Sequence, residues 1–291
     1  MLAKPILWDS KVGVLQMCVF NNSFIEHVAE ICLIAGKAII REYEKPIAKV
    51  SVKPDLSPVT EADLRADEII VEKLYKFEKT IPCFSEESVT DEKISDQELY
   101  WAVDPLDGTK EFLKKTGDFS VNIGLIKKKR PIFGIVYAPV FDTIWLGYLN
   151  GENGGKASFC CKNFSKQKNL LINSKKMTVT LPSKQTNVLM SRNQPSLRTR
   201  QWLNQHYKGK KINIAQRGSS IKICLIAEGK AHIYPRLGRT CIWDTAAGHA
   251  ILSSAGGFLS NINSFEELIY SGNIYNPPFL ASSFEPSFMK T

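Results

Sequence analysis

The chain has 291 residues, 44% hydrophobic and 23% charged, with a formal charge of +9. That length accommodates about two domains and a sizeable core, and no apolar stretch approaches the ~20 residues that span a bilayer. The charge suits an anionic small substrate or loose peripheral association with an anionic membrane face. The basic residues are scattered except at Lys127 to Arg130 and are not interleaved with aromatics, so no nucleic-acid platform is expected. Seven cysteines, at 18, 32, 83, 160, 161, 224 and 241, form no C-x-x-C pair and no regular spacing, which argues against a zinc site or disulfide framework and fits a reducing cytoplasm. Cys160 and Cys161 are read as two free thiols in a loop.

In chain order, residues 1–22 form an N-terminal extension. Its apolar run from Val12 to Phe20 is interrupted by Gln16 and lacks a small-residue cleavage site, so it is not an export signal. A helix is expected from Ser23, with Ser23 and Glu26 as a capping box and Phe24, Val28, Ile31, Ala35 and Ile39 at helical spacing. The turn-rich loop from Lys53 enters a second helix at Thr60, whose apolar stripe is Ile69, Ile70, Leu74 and Phe77. Asp63 falls in its first turn, where an acid three residues after a Thr N-cap is ordinary capping. Ile81 to Ser85 reads as a strand ending in Glu86 and Glu87, which also open an acidic stretch with Asp91, Glu92, Asp96 and Glu98.

Trp101 to Glu111, W-A-V-D-P-L-D-G-T-K-E, reads as a buried strand that ends in a tight turn and opens onto a helix. Asp104 and Asp107 stand at the strand mouth. Backbone N–H groups of Gly108, Thr109 and Lys110 begin the helix, where an anion is favoured. Carboxylates beside an anion hole suit Mg²⁺ and phosphate, although D-P-x-D-G is also ordinary surface-turn chemistry. Phe119 to Ile126, Ile132 to Tyr137 and Thr143 to Leu149 read as successive antiparallel strands. Gly151 to Gly155 turns the chain, and the polar stretch Lys156 to Lys184 carries the boundary between a 23–184 domain and a 185–291 domain. The second domain starts with a strand at Asn187 to Arg192 and a helix at Arg198 to Tyr207. A turn at Gly218 to Lys222 then opens a helix through Ala227, a strand follows at Ala231 to Tyr234, and Asp244 stands where a last helix begins. As an N-cap Asp244 is unremarkable; as a distant fourth acid it would complete a metal cage.

E-E at 86 and 87, D-P-L-D-G-T at 104 to 109 and W-D-T-A-A-G at 243 to 248 resemble, in this order, the motifs of the inositol monophosphatase superfamily of magnesium-dependent, lithium-sensitive phosphatases. S-P-V-T-E-A-D at 57 to 63, D-P-L-D-G-T-K-E-F at 104 to 112 and the run from Gly218 to Arg236 are most similar to its bacterial CysQ-type 3'(2'),5'-bisphosphate nucleotidases. The resemblance covers about Ser23 to Ala281. It implies an α/β (α+β layered) fold, an αβαβα sandwich of two subdomains like that of the sugar phosphatases, with the site between them. It implies removal of the 3'-phosphate from 3'-phosphoadenosine 5'-phosphate, with two or more Mg²⁺ ions. Glu86, Asp104, Asp107 and Asp244 match the metal acids, and Leu106 matches the residue that lends a carbonyl. Thr109 and Asp63 match the pair that orients and deprotonates water. Gly108 and Thr109 would hold the phosphate, and Gly218, Ser219, Ser220, Lys222 and Arg236 are candidates for the nucleotide side, beside Glu86, Leu106, Asp107 and Asp244.

Other readings stay open. An inositol phosphate or fructose 1,6-bisphosphate phosphatase would share the metal motifs. A non-catalytic nucleotide binder would hold the bisphosphate without releasing phosphate. Ser219 to Lys222 and Lys115 to Gly117 carry the S-x-x-K and K-T-G pieces of a penicillin-recognising enzyme, in reversed order and without S-D-N. A homodimer and a location on the cytoplasmic face of a membrane are compatible with the sequence.

Overall fold

The computed structural model describes residues 20–46, 50–52, 58–89, 97–149, 155–192 and 197–286. The extension up to residue 19, the loop at 53–57, Asp91, Glu92, Asp96 and the turn at 151–154 lie outside the described residues.

Helix α1 (Asn22–Tyr43) is capped by Asn21, whose side chain accepts the Phe24 N–H at 2.9 Å, so the cap lies two residues before the expected Ser23. Glu26 closes no capping box with Ser23; its carboxylate accepts the Leu170 N–H at 2.7 Å and ties the helix to a distant loop. Strands β1 (Val50–Val52) and β2 (Pro58–Thr60) pair antiparallel, and β2 runs straight into α2 (Glu61–Phe77). There Thr60 and Asp63 form the expected capping box. β3 (Cys83–Ser85), β4 (Leu99–Asp107), the short α3 (Thr109–Leu113), β5 (Ser120–Lys127), β6 (Arg130–Ala138) and β7 (Thr143–Tyr148) follow the expected order. The polar stretch after them is not all linker: it contains β8 (Ala157–Lys162) and β9 (Lys175–Lys176), which complete a seven-stranded sheet in the order β3-β4-β5-β6-β7-β8-β9. Cys160 and Cys161 accordingly lie in β8, both buried, rather than in a loop.

The remaining elements are β10 (Thr186–Ser191), α4 (Leu197–His206), β11 (Ile212–Arg217), α5 (Ile221–Ala227), β12 (Ile233–Arg236), α6 (Ile242–Ser254), β13 (Phe258–Asn261) and β14 (Phe279–Ser282). Their strands form a five-stranded sheet in the order β11-β10-β12-β14-β13. Side chains alternate across each strand, and the cores follow that alternation. Trp101 and Val103 of β4 pack with α1 and α2 on one face, while Tyr100 and Ala102 pack with α5 and α6 on the other. The same second core takes in Leu189, Tyr234, Phe279 and Ala281 of the five-stranded sheet. Val188, Met190, Ile233 and Leu280 on that sheet's far side cover Trp202 and Leu203 of α4. The layers are therefore α1 and α2, sheet, α5 and α6, sheet, α4: the αβαβα sandwich that the resemblance implied. No described helix is long and apolar enough to cross a membrane.

α6 is buried on nearly every side, and its seat decides where the site forms. Gly124, Gly134 and Gly147 sit side by side on β5, β6 and β7. A Cβ on Gly134 would lie 2.2 Å from the Ala247 carbonyl oxygen, and one on Gly147 would lie 2.3 Å from Ser254 Oγ. Glycine inside a strand often marks such a close backbone approach. The row lets α6 lie against the sheet, which brings the first turn of α6 to the end of β4.

Candidate active site

The site is assembled from element ends. β3 and β4 run parallel, with Ser85 opposite Val103, and the Glu86 N–H donates to the Val103 carbonyl at 3.1 Å. Glu86 thereby stands beside Asp104. β4 continues through Pro105 to Asp107, and its pairing with β5 is irregular between Asp104, opposite Asn122, and Asp107, opposite Ser120. A bulge of this kind re-aims side chains next to active sites, and here it turns Asp107 towards the same space. Gly108 takes a left-handed φ of 104° and begins α3. α3 has only five residues, so the dipole expected to favour an anion there shrinks to about one turn.

Asp244 reaches this space from α6, though not as the N-cap. Cys241 is the cap, and Asp244 at the third helical position accepts the Cys241 N–H at 2.6 Å. Carboxylate oxygens of Glu86, Asp104 and Asp244 all lie within 4.8 Å of one another. One oxygen of Asp104 accepts the Leu106 N–H at 3.0 Å, while the other is buried with no hydrogen-bond partner. Burial, then the charges of Glu86, Asp107 and Asp244, hold the Asp104 carboxyl well above the usual carboxylate range. Burial, then Asp107 and Glu86, push Asp244 up to about 8. Asp107 is also raised by burial, against the opposing pull of Lys222 and the Ser220 N–H. An unpartnered buried carboxylate oxygen among mutually repelling acids is a donor set that could hold a cation, and all-oxygen carboxylate ligation suits a hard divalent ion.

One cavity of about 330 Å³ gathers the expected residues. Glu86, Asp104, Leu106, Asp107, Gly108, Thr109 and Asp244 line one wall, and Gly218, Ser219, Ser220, Lys222 and Arg236 line the other. Asp63 is not part of the lining. It stands behind Thr109, whose hydroxyl donates to Asp63 Oδ1 at 3.1 Å, while Asp63 Oδ2 accepts both the N–H and the hydroxyl of Thr60. Burial raises the Asp63 carboxyl, and these hydrogen bonds counter part of that rise.

Lys222 is buried, and its Nζ donates to the carbonyls of Ser219 and Arg217, 4.9 Å above the Tyr234 ring centroid. It braces the 217–220 turn as well as facing the cavity. Lys115 donates to the carbonyls of Tyr43 and Lys45, and the Ser219 hydroxyl accepts the Ile221 N–H. That arrangement is not the serine and lysine pair of a penicillin-recognising enzyme. Arg236 donates from Nη1 to Ser191 Oγ at 2.9 Å and keeps a buried Nε without a partner.

Sequence reading missed Ser120 and Asn122. Both are fully buried: Asn122 donates to Asp107 Oδ2 at 3.4 Å and accepts from the hydroxyls of Ser120 and Ser220. The Ser220 N–H donates to the same Asp107 oxygen, which holds that carboxylate from both walls. Their signal was faint, because polar residues alternating along a strand ordinarily mark a solvated face.

The raised acids carry a pH consequence. Without a cation, the folded chain retains protons on Asp244 that an unfolded Asp with pKa 3.8 releases, so this group's contribution to stability is fully present below that value and is lost as pH rises through about 8. In chelator the melting temperature should therefore fall from about pH 5 to about pH 8, and Mg²⁺ added at about pH 8 should raise it by several degrees. A melt indifferent to both pH and Mg²⁺ would count against a cation in this cluster.

The sequence model of the Inositol monophosphatase family matches residues 21–282. The chain is 43% identical over 242 residues to the 3'(2'),5'-bisphosphate nucleotidase CysQ of Buchnera aphidicola subsp. Acyrthosiphon pisum, covering 81% of this chain and 85% of that protein. It is 38% identical over 235 residues to the protein of the same name from Escherichia coli K12, covering 80% and 88%. The crystal structure of CysQ from Bacteroides thetaiotaomicron, described as a bacterial member of the inositol monophosphatase family, superimposes with a TM-score of 0.78 at 33% identity, covering 91% of this chain and 99% of that one. With the family motifs spread over β3, β4 and α6 and meeting at one cavity, this chain belongs to the inositol monophosphatase family.

Proposed function

We propose that the chain is a Mg²⁺-dependent 3'(2'),5'-bisphosphate nucleotidase that hydrolyses 3'-phosphoadenosine 5'-phosphate to AMP and phosphate. The observation that carries the reading is the unpartnered Asp104 oxygen among Glu86 and Asp244, facing a wall with Lys222 and Arg236. The names of the relatives support the choice of substrate. Glu86, Asp104, Asp107, Asp244 and the Leu106 carbonyl would hold the ions. When bound, two Mg²⁺ would neutralise charge that develops on the transferring phosphoryl group and its leaving oxygen.

The chain's own residues do the rest. Thr109 Oγ1 orients the attacking water, and its proton passes to Asp63 Oδ1, which burial has made more basic than an exposed aspartate. Water adds to phosphorus, the bond from phosphorus to the 3'-oxygen breaks, and that oxygen takes a proton from solvent, to which Asp63 returns the one it received. Gly108 and Thr109 present the turn that carries the phosphate. Arg236, held by Ser191, offers a fork of donors suited to the remaining phosphate.

The test is phosphate release with Mg²⁺ from 3'-phosphoadenosine 5'-phosphate and inositol 1-phosphate in parallel, with and without lithium. The nucleotide should be preferred and lithium should inhibit. Preference for inositol 1-phosphate would keep the mechanism and replace the substrate; bisphosphate binding without phosphate release would replace the enzyme by a binder.

A further inference from the structure

Asp118 is none of the metal acids and is absent from the cavity lining, yet it is 1% exposed and spends its carboxylate on the opposite wall. Its Oδ2 accepts from Nε (3.1 Å) and Nη2 of Arg192 and from the Gly218 N–H at 3.2 Å. Its carbonyl oxygen is the nearest atom to a Cβ built on either turn that faces the cavity, at 3.2 Å for Gly108 and 2.3 Å for Gly218. Both turns thus pack on one peptide. Arg192 carries the connection onward: its N–H donates to the Arg217 carbonyl at 3.2 Å, and its chain neighbour Ser191 accepts from Arg236. From the loop between α3 and β5, Asp118 therefore reaches both the Gly218 turn and the strand end that holds Arg236.

We propose that Asp118 is a positioning residue that sets selectivity for the bisphosphate, by holding Gly218 to Ser220 and Arg236 at a fixed distance from the metal acids. This rests on the reading of those residues as the nucleotide side. A carboxylate suits the role because Arg presents two donors in a rigid fork, and one buried oxygen that accepts three donors tolerates little displacement. A merely structural ion pair would affect every substrate alike. A positioning one acts on the part of the substrate that touches the second wall.

The test compares wild type with Asp118→Asn and with Arg192→Lys, which keeps the charge but loses the fork. Both are assayed below their melting temperatures on 3'-phosphoadenosine 5'-phosphate and on adenosine 3'-monophosphate, which lacks the second phosphate. KM for the bisphosphate should rise about tenfold in each variant, with kcat on both substrates and KM for the monophosphate within about twofold of wild type. The double variant should be no worse than the more impaired single one, since both act through one contact. Amide hydrogen exchange should quicken across 217–222 and stay unchanged in β4 and β5. Equal KM changes on both substrates, equal losses of kcat, or unaltered exchange across 217–222 would overturn the proposal. A wild type without bisphosphate preference would remove the functional reading, and the exchange measurement would still decide whether Asp118 holds the turn.

Discussion

Asp104→Asn is expected to lower Mg²⁺-dependent phosphate release by more than about 100-fold, since even partners that only orient metal ligands typically cost 10–100-fold. Melting should move the other way. Asp104 is buried beside Glu86, Asp107 and Asp244, and each of these charges raises its carboxyl further. An amide of the same shape has no charge to bury in the cluster and can still accept the Leu106 N–H. In chelator near pH 8 the variant should therefore melt higher than wild type, and its gain on adding Mg²⁺ should shrink. Breaking an ordinary buried hydrogen-bonded carboxylate does the opposite. Activity within a few-fold of wild type, together with an undiminished Mg²⁺ shift, would remove Asp104 from the metal set.

Thr109→Val should separate catalysis from capping. It keeps the shape of the side chain and deletes the hydroxyl that donates to Asp63 Oδ1, leaving both Thr60 donors on Oδ2. Turnover should fall by about 10²–10⁴-fold, the range of a lost general acid-base contribution. Stability should change by about 1 kcal/mol, the worth of one hydrogen bond. Asp63→Asn is the less clean experiment. An amide has a single acceptor oxygen, so it cannot accept from Thr109 on one side while taking both Thr60 donors on the other. A stability loss of about 1–3 kcal/mol should accompany its loss of turnover. If Thr109→Val kept near-normal turnover, the pair would be reduced to holding the start of α2.

Much of this protein was readable from local chemistry. The Thr60 and Asp63 box, the β4 strand with the left-handed Gly108 that ends it and the three antiparallel strands after it follow from spacings of a few residues, where side chain and backbone interact within one turn or one hairpin, although the strand runs on through Pro105 to Asp107 before it turns. The start of α6 was misplaced because Cys241 is not a favoured N-cap, so the more typical capping residue, Asp244, was read as the cap although it stands at the third helical position. β8 was hidden in a stretch rich in Lys, Ser and Asn, and β11, exposed along nearly all its length, has no buried face to impose a pattern.

The sequence by itself determined which residues could bind a metal and, through the resemblance that its motifs carry, the family and the layered fold that the family implies, because each motif is short and its chemistry is carried by neighbours in the chain. The tertiary structure alone decided how those residues meet. The row of Gly124, Gly134 and Gly147 admits α6 and so brings Asp244 to Asp104. Buried Ser120 and Asn122 fix Asp107, and Asp118 grips Arg192 from 74 positions away. Such pairings depend on which surfaces pack together, and burial turns an ordinary aspartate into a carboxyl raised well above its usual range or into the acceptor of three donors; no pattern within a few residues encodes that burial.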